Sequence, residues 1–260
     1  MSNCQNIESS LRSQLNTEFI GRQLHYYPSL TSTMEVAKKI AREGAAEGTV
    51  VIADEQTSGR GRLGRAWLSP KGSLAMSIIL QPSLNSLPQL IMVASLGAVR
   101  AIEQIAGLKA QIKWPNDVLI RGKKVCGILI ESELRGKRVN FAIIGIGMNV
   151  NLNPLAFPEI SITATSLSHE LGKEVSKTEL TSALLSQLEQ LYLEAQTGAP
   201  IYRQWQEHME TLGKWIQVRV GKSAEQGKAE AITENGNLIL RRADGSLAEI
   251  VVGDVTVIKN

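Results

Sequence analysis

Two short glycine turns near the middle of the chain restrict the folds open to it. Strand-like sequence flanks the turn at 121–123 (RGK), and strand-like sequence also flanks the turn at 135–137 (RGK). Turns this short join antiparallel neighbours, because a parallel pair needs a crossover connection of about a dozen residues or more. The pattern therefore predicts consecutive hairpins rather than a series of strand–helix–strand units.

Helices and buried strands are predicted on either side of these hairpins. Ser32–Glu35 and Ser176–Glu179 both have the S-x-x-E form of a capping box, and apolar residues at helical spacing follow each of them. The apolar stretch from Leu87 to Gly107 contains Arg100 and Glu103, so a core helix is favoured over a membrane span. Strands are expected at 23–27, 49–53 and 74–80. Together these elements predict the α+β class.

The hydrophobic pattern changes in the final part of the chain. From Lys214 onward apolar and polar residues alternate in short runs, and the pairs Asn235-Gly236 and Asp244-Gly245 are strong signals for hairpin turns. We therefore predict a small β-barrel at 213–260, appended to a main domain at 21–212. A polar extension is expected at 1–20.

Composition and the common motifs exclude several functional classes. The formal net charge is +3 over 260 residues, which does not indicate a nucleic-acid-binding protein. Neither Cys4 nor Cys126 has the spacing of a metal site, and no Walker loop, HExxH or GxSxG motif occurs. The N-terminus lacks the basic and apolar regions of a secretory signal, so a cytoplasmic protein is expected.

The segment Gln56–Trp67 is the most distinctive in the chain. It follows an apolar run and holds three glycines and three arginines within the seven residues Gly59–Arg65. Glycine lets the backbone approach a ligand closely, and arginine binds phosphate or carboxylate through two parallel donors. The composition predicts a flexible anion clamp whose arginines, Arg60, Arg62 and Arg65, repel one another unless an anion lies between them. A solvated loop, or a segment that contacts RNA, would have the same composition.

Three further clusters follow in order along the chain. Lys113–Val118 (KWPNDV) contains a lysine that could balance phosphate charge and a carboxylate, Asp117, that could hold Mg²⁺, although Asn-Asp is also an ordinary turn pair. In 122–131 (GKKVCGILIE), Lys124 enters a strand directly after a turn, where a lysine is commonly only solvated. Gly145–Val150 (GIGMNV) has glycines that leave room beneath a ligand or mark a bulge.

In this order and spacing the four clusters resemble the signature series of biotin–protein ligases, also called biotin–acetyl-CoA-carboxylase ligases. The resemblance runs from about Ser32 to Asn149, and the β-rich tail suits the small C-terminal domain of that family. It implies a mixed-sheet catalytic domain related to class II tRNA synthetases, followed by an SH3-like barrel. The implied activity joins biotin to ATP as biotinyl-5′-AMP, releases pyrophosphate, and transfers biotin to a lysine of a biotin carboxyl carrier domain, with release of AMP.

The resemblance also implies roles for individual residues. Lys124, Arg60 and Arg62 are expected to be catalytic, because two anions must be brought together and cations stabilise the charge. The residues expected to bind biotin are Ser32, Thr33, Met34, Gln56, Gly59, Arg60, Gly61, Arg62, Lys124 and Gly127. Those expected on the nucleotide side are Arg62, Arg65, Trp67, Lys113, Asn116 and Asn149, with Asp117 as the candidate metal ligand. The cofactors implied are ATP and Mg²⁺, with biotin as the substrate.

One position departs from the family pattern. The family usually has Asn after the Ser-Thr pair, where this chain has Met34, and this puts one hydrogen bond to biotin in doubt. Ser32 could cap its helix, bind biotin, or do both, because a hydroxyl has a donor and two acceptor positions.

Two rival functions stand beside the ligase. A lipoate or octanoate ligase shares the catalytic fold but would need an apolar tunnel in place of a polar pocket. A biotin-responsive DNA-binding repressor would need a helix-turn-helix, and the polar residues before the first strand show no basic recognition helix. We expect neither nucleic acid nor membrane among the partners, and either a monomer or a homodimer.

Overall fold

The computed structural model describes residues 2–221 and 223–258, with side chains from residue 8 onward. The side chain of Cys4 therefore lies outside the described residues. The α-helices are α1 Ser2–Gln14, α2 Thr33–Arg42, α3 Leu90–Ala106, α4 Leu167–Leu171, α5 Lys177–Gln196 and α6 Ile201–Glu207. The strands are β1 Leu24–Tyr27, β2 Val50–Ala53, β3 Ser73–Leu80, β4 Gln111–Lys113, β5 Asp117–Ile120, β6 Lys123–Arg135, β7 Arg138–Asn149, β8 Trp215–Val220, β9 Ser223–Ile232, β10 Leu238–Arg241, β11 Leu247–Ile250 and β12 Asp254–Val257.

A seven-stranded mixed sheet forms the centre of the main domain. Its order is β1-β2-β3-β7-β6-β5-β4, in which β1 and β2 are parallel and the other neighbours are antiparallel. The hairpins predicted at 121–123 and 135–137 are the β5–β6 and β6–β7 connections. The α+β class predicted from the sequence is confirmed.

Helices cover both faces of this sheet, and side chains alternate between them because successive residues of a strand point to opposite faces. Val51, Ile79 and Ile143 pack with Met34 of α2 on one face. The neighbouring strand residues belong to the larger cluster that includes α3 and α5 on the other face. Every residue of β3 is buried, as expected for a strand with helices on both sides.

The two predicted capping boxes behave differently. The Ser176 side chain accepts a hydrogen bond from the Glu179 backbone N–H at 3.3 Å, and the leucine stripe of α5 is buried as predicted. Ser32 occupies the N-cap position of α2 with an extended backbone, but its side chain makes no capping hydrogen bond. Glu35, the other member of that box, pairs with Arg60 and Lys38 instead. The hydroxyl of Ser32 is therefore not used as a helix cap.

The apolar segment Leu87–Ala106 is a core element, as predicted. A short 3-10 turn, Leu87–Gln89, leads into α3. By length and composition the segment could cross a membrane, yet 61% of its most apolar window is buried inside the protein.

The N-terminal residues pack more closely than a polar extension would. Leu11 and Leu15 are buried, and the buried carboxylate of Glu189 on α5 accepts the backbone N–H groups of 18, 19 and 20 at 2.5, 2.9 and 2.8 Å. The sequence pattern did not reveal this, because the acceptor is supplied by a helix about 170 residues away.

The C-terminal strands form a second, five-stranded antiparallel sheet in the order β11-β10-β9-β8-β12. Glycines with positive φ stand in both predicted hairpin turns, at Gly236 (82°) and Gly245 (85°). Within the described strands β11 and β12 do not pair, and closure of this sheet into a barrel stays a prediction. Trp114 joins this sheet to the main domain, because its buried Nε1 donates to the Gly236 carbonyl at 2.9 Å.

Candidate active site

A cleft beside the glycine- and arginine-rich loop collects most of the predicted site residues. It encloses about 760 Å³, part of it open to solvent. Of the residues expected to bind biotin, all but Gly59 line it, and Arg62, Arg65, Trp67 and Asn116 from the nucleotide side line it as well. Asp117 and Asp254 also reach this cleft.

Gly59 has a structural position outside the cleft. The loop folds into a narrow two-stranded arch, in which the Trp67 N–H donates to the Gly59 carbonyl at 2.9 Å and the Gly61 N–H donates to the Arg65 carbonyl at 2.7 Å. A Cβ at Gly59 would lie 2.4 Å from the Trp67 carbonyl oxygen. Gly59 therefore does not line the cleft in this structure, and its lack of a side chain lets the two arms of the arch approach closely. Its contact with biotin stays a prediction.

Each loop arginine has a protein partner. Arg60 pairs with Glu35 of α2, and Arg65 pairs with Asp254 at the start of β12. Arg62 donates to Asn116 Oδ1 at 2.9 Å and, through both terminal nitrogens, to the Gly253 carbonyl at 3.4 and 3.3 Å. The arginines therefore have partners from three other segments, although burial and, to a smaller extent, the charge of Arg65 still lower the pKa of Arg62.

Arg62 differs from the other two arginines in its electrostatics. Its acceptors are neutral oxygens, and within the described residues it forms no ion pair. Burial lowers the pKa of its guanidinium, and the nearby charges of Asp254 and Asp117 partly offset that effect. Arg62 is thus a half-buried cation that contacts only neutral acceptors. Of the three loop arginines, it should gain the most from binding an anion.

Hydroxyl and amide groups line one end of the cleft. Gln56 Oε1 accepts the Thr33 N–H at 2.8 Å and the Thr33 hydroxyl at 3.1 Å, and the Ser77 hydroxyl donates to Thr33 Oγ1 at 2.8 Å. A backbone N–H can only donate, so the atom facing it must be the Gln56 oxygen. These bonds fix the orientation of the Gln56 amide beside Ser32.

Met34 lies deep at the same end. It is buried, and a Cβ at Gly145 would stand 2.6 Å from its Sδ atom. Gly145 therefore makes room for the thioether that stands where the family usually has Asn.

Lys124 is held at the other end of the cleft. Its Nζ lies 2.6 Å from Asp117 Oδ1 and 5.2 Å from the centroid of the Trp67 ring. Its backbone is fixed as well: the Lys124 N–H donates to the Thr163 carbonyl and the Thr165 N–H donates to the Lys124 carbonyl, both at 2.9 Å. Lys124 is therefore an anchored side chain, not a solvated turn lysine.

Trp67 separates this cleft from a second cavity. Its ring lies on Gly147 and Gly127, where added Cβ atoms would approach the ring to 2.3 and 3.0 Å, and its buried Nε1 has no hydrogen-bond partner among the described residues. The second cavity encloses about 1060 Å³ and shares Ala66, Trp67, Asp117 and Lys124 with the first. Lys113 and Asn149, both expected on the nucleotide side, line the second cavity only.

Comparison with known proteins identifies the fold and the family. Residues 26–149 match the Biotin/lipoate A/B protein ligase family, and residues 211–257 match the Biotin protein ligase C terminal domain. The bifunctional ligase/repressor BirA of Bacillus subtilis is 40% identical over 244 residues, which cover 92% of this chain and 75% of that protein. The chain belongs to the biotin protein ligase family.

Two further proteins resemble this ligase along most of their length. The biotin–[acetyl-CoA-carboxylase] ligase of Paracoccus denitrificans is 36% identical over 227 residues, covering 82% of this chain and 92% of that enzyme. The biotin protein ligase from Aquifex aeolicus, solved in complex with biotin and ATP, superposes with a TM-score of 0.79 at 29% identity, covering 92% of this chain and all of that one.

The ligase cleft contains residues that sequence reasoning missed. Gly253 and Asp254 come from the C-terminal sheet, and the segment 163–165 fixes the Lys124 backbone. No local pattern marks them, because Asp254 stands 189 residues from its partner Arg65. Glycine and aspartate are also common in ordinary turns, so this pair at the start of a strand does not indicate a binding site.

The described residues of the ligase do not form a metal site by themselves. They contain no group of three or more His, Cys, Asp or Glu side chains that could hold a metal ion. Asp117, the candidate metal ligand, already pairs with Lys124. Asp117 lines both cavities, and its expected role as a metal ligand stays a prediction.

Proposed function

We propose that this ligase activates biotin with ATP to give biotinyl-5′-AMP and pyrophosphate, and then transfers biotin to a lysine of a biotin carboxyl carrier domain. One observation carries the proposal. A single cleft brings hydroxyl and amide groups together with an anchored lysine and three arginines, in a chain that belongs to the ligase family.

The polar end suits the neutral ureido ring of biotin. Ser32, Thr33 and Gln56 offer hydroxyl and amide groups there, and the hydrogen bonds between Thr33 and Gln56 hold those groups in place before the substrate arrives. Met34 packs against Gly145 beside them and supplies apolar contact, not the hydrogen bond that an Asn would give. Gly61 and Gly127 add backbone surface without a side chain.

The charged end suits the reaction itself. The biotin carboxylate must attack the α-phosphorus of ATP, so a bond forms between a carboxylate oxygen and phosphorus while pyrophosphate leaves. Two anions resist this approach, and Lys124, Arg60 and Arg62 would stabilise the negative charge on the reacting oxygens. To bind a substrate anion, Arg60 must give up its ion pair with Glu35, whereas Arg62 has no carboxylate partner to give up.

The second cavity suits the nucleotide. It opens beside Lys124 and Trp67, and it includes Lys113 and Asn149. The Asn149 side chain donates to the Thr165 carbonyl at 2.9 Å, which supports the segment that fixes Lys124. Asn116 lines the main cleft, where its Oδ1 accepts from Arg62 and its Nδ2 donates to the Ile128 carbonyl at 2.8 Å. Trp67 and Arg65 close the space between the cavities.

The proposal requires no protein nucleophile. The buried thiol of Cys126 has a pKa raised to about 12 by burial, so it stays protonated. In the transfer step the uncharged amine of the carrier lysine attacks the acyl carbon, the acyl–phosphate bond breaks, and AMP leaves.

We propose that Mg²⁺ enters with ATP, because Mg²⁺ is usually held by one or two carboxylates together with substrate phosphates, and Asp117 lines both cavities. When bound, it would neutralise phosphate charge. A cytoplasmic location and a monomeric or homodimeric state also remain parts of this proposal.

Intact-mass measurement tests the activity directly. The protein, biotin, ATP, Mg²⁺ and a carrier domain should give one biotinyl group per carrier, with none when ATP or Mg²⁺ is omitted. A known ligase run in parallel controls for the carrier, and an unmodified carrier beside a modified control would overturn the proposal.

Two measurements separate the rival functions. Pyrophosphate exchange into ATP should depend on biotin and not on lipoate or octanoate, because the cleft is polar at its closed end. Among the described residues a single helix, α1, precedes β1, whereas a helix-turn-helix takes two. Specific shifts of genomic DNA fragments in a gel would nevertheless establish a repressor function.

A further inference from the structure

The C-terminal sheet contacts the arginine loop at two adjacent residues. The Gly253 carbonyl accepts hydrogen bonds from both terminal nitrogens of Arg62, and the Asp254 carboxylate pairs with Arg65. Asp254 also lines the main cleft. These contacts join the tip of the loop to a part of the chain that supplies none of the other lining residues.

Asp254 begins strand β12, and Gly253 directly precedes it. Asp254 is paired with Arg219 of β8, and a Cβ at Gly253 would stand 2.5 Å from Val218 Cγ1. The sheet is in turn tied to the main domain by the Trp114–Gly236 hydrogen bond. The point at which the loop is held is therefore fixed relative to the cleft.

The ion pair between Arg65 and Asp254 is weak enough to form and break reversibly. The side chain of Arg65 is 66% exposed and that of Asp254 is 25% exposed. Ion pairs of this exposure shift an equilibrium by at most about fivefold, and salt weakens them. A contact of this size can bias the loop toward closure without preventing its opening.

We propose that Asp254 is a positioning residue that latches Arg65, and with it the loop Gly59–Trp67, over the cleft. Where the proposed function holds, the latch keeps biotinyl-5′-AMP from water until the carrier lysine arrives. If water enters, it attacks the acyl carbon, the acyl–phosphate bond breaks, and biotin and AMP leave separately. The C-terminal sheet thus retains the intermediate without touching the reacting atoms.

Hydrogen exchange of the full-length protein without substrates tests the latch independently of activity. Asp254→Asn should raise exchange of the 57–68 peptide about two- to fivefold, which is the range expected for an exposed ion pair. Asp254→Glu should restore slow exchange, and added salt should speed exchange in the native protein more than in Asp254→Asn. Asp244→Asn, in a hairpin turn of the same sheet, is the matched control and should leave the loop unchanged.

Unchanged loop exchange in Asp254→Asn would overturn the latch. An equal rise throughout β8–β12 would also overturn it, because the substitution would then have loosened the sheet and not the loop.

The retention step has its own measurement. The ratio of excess AMP (AMP released beyond one per biotinylated carrier) to carrier biotinylated should rise about two- to fivefold in Asp254→Asn and return toward the native value in Asp254→Glu. An unchanged ratio beside faster loop exchange would disprove retention and leave only the contact. A native protein that biotinylates no carrier would refute the proposed function, while hydrogen exchange would still decide the latch.

Discussion

The Nζ atom of Lys124 lies 2.6 Å from Asp117 Oδ1, across two strands whose register shifts beside this pair. The irregularity matters because it lets Lys124 bond through its backbone to 163–165 while its side chain turns toward the carboxylate. An ammonium held in this way keeps its direction. It can therefore stabilise negative charge without first reorganising, which is the condition for effective electrostatic catalysis.

Replacing Lys124 with methionine should slow formation of the adenylate far more than it disturbs folding. Removing one electrostatic group of this kind costs roughly 2–4 kcal/mol, or about two to three orders of magnitude in rate. Biotin-dependent pyrophosphate exchange measures the step. Lys123→Met, one residue away and outside both cavities, is the matched control. Near-normal exchange in Lys124→Met would show that the anchored lysine is not catalytic.

Trypsin should report whether the arginine loop opens. Cleavage after Arg60, Arg62 or Arg65 requires the loop to leave its partners, and biotin with Mg-ATP should slow that cleavage by supplying an anion that several arginines bind together. The exposed turn at Arg135 and Lys137 serves as an internal reference, since it lies outside both cavities. If substrates leave the ratio of loop to reference cleavage unchanged, the loop is not a lid.

Gly147→Ala should destabilise the protein through Trp67. The added Cβ would lie 2.3 Å from the indole Nε1, so the ring must shift, and overpacking of this kind costs about 1–3 kcal/mol. Urea unfolding of Gly147→Ala, Trp67→Ala and the double variant measures the coupling. Much of the cost of Gly147→Ala should vanish when the ring is absent. Additive effects would mean that the ring does not rest on Gly147.

Cys126 should be inert toward thiol reagents in the folded protein. Burial raises the pKa of its thiol to about 12, so at pH 8 the reactive thiolate is a negligible fraction. In a Cys4→Ser background, a disulfide reagent should find no thiol in the native protein and one in denaturant. Rapid labelling of the native variant would show that β6 opens to solvent near Lys124.

Local signals predicted much of the fold. The glycine turns, the Ser176 cap and the leucine stripe of α5 each depend on residues close in sequence, and the structure confirms them. The Ser32 segment has the same S-x-x-E form, yet its serine makes no capping hydrogen bond and its Glu35 pairs with Arg60. A partner that lies 25 residues further along the chain cannot be read from those four residues.

The sequence predicted many of the residues around the cleft, but not which side chains pair with one another there. Family resemblance pointed to Gln56, Lys124 and Asn116, and the structure places them around one cavity. The partners of the arginines could not be predicted, since Glu35, Gly253 and Asp254 meet the loop only after the chain has folded. For the same reason a charge count within one segment omitted the counter-charges of Glu35 and Asp254, which offset part of the expected repulsion between the arginines.

The hydrogen bond from Trp114 to Gly236 has a consequence for how the protein comes apart. Side chains of the C-terminal sheet, such as Ile216 and Leu238, belong to the same apolar cluster as α3 and β6. Two units that share one core and one buried indole should lose structure together, so calorimetry should show a single transition with equal calorimetric and van't Hoff enthalpies. A chimera that takes only its last fifty residues from a relative would divide this shared core between two sequences. Its midpoint of thermal unfolding should fall below the native value unless the apolar side chains at the junction are matched.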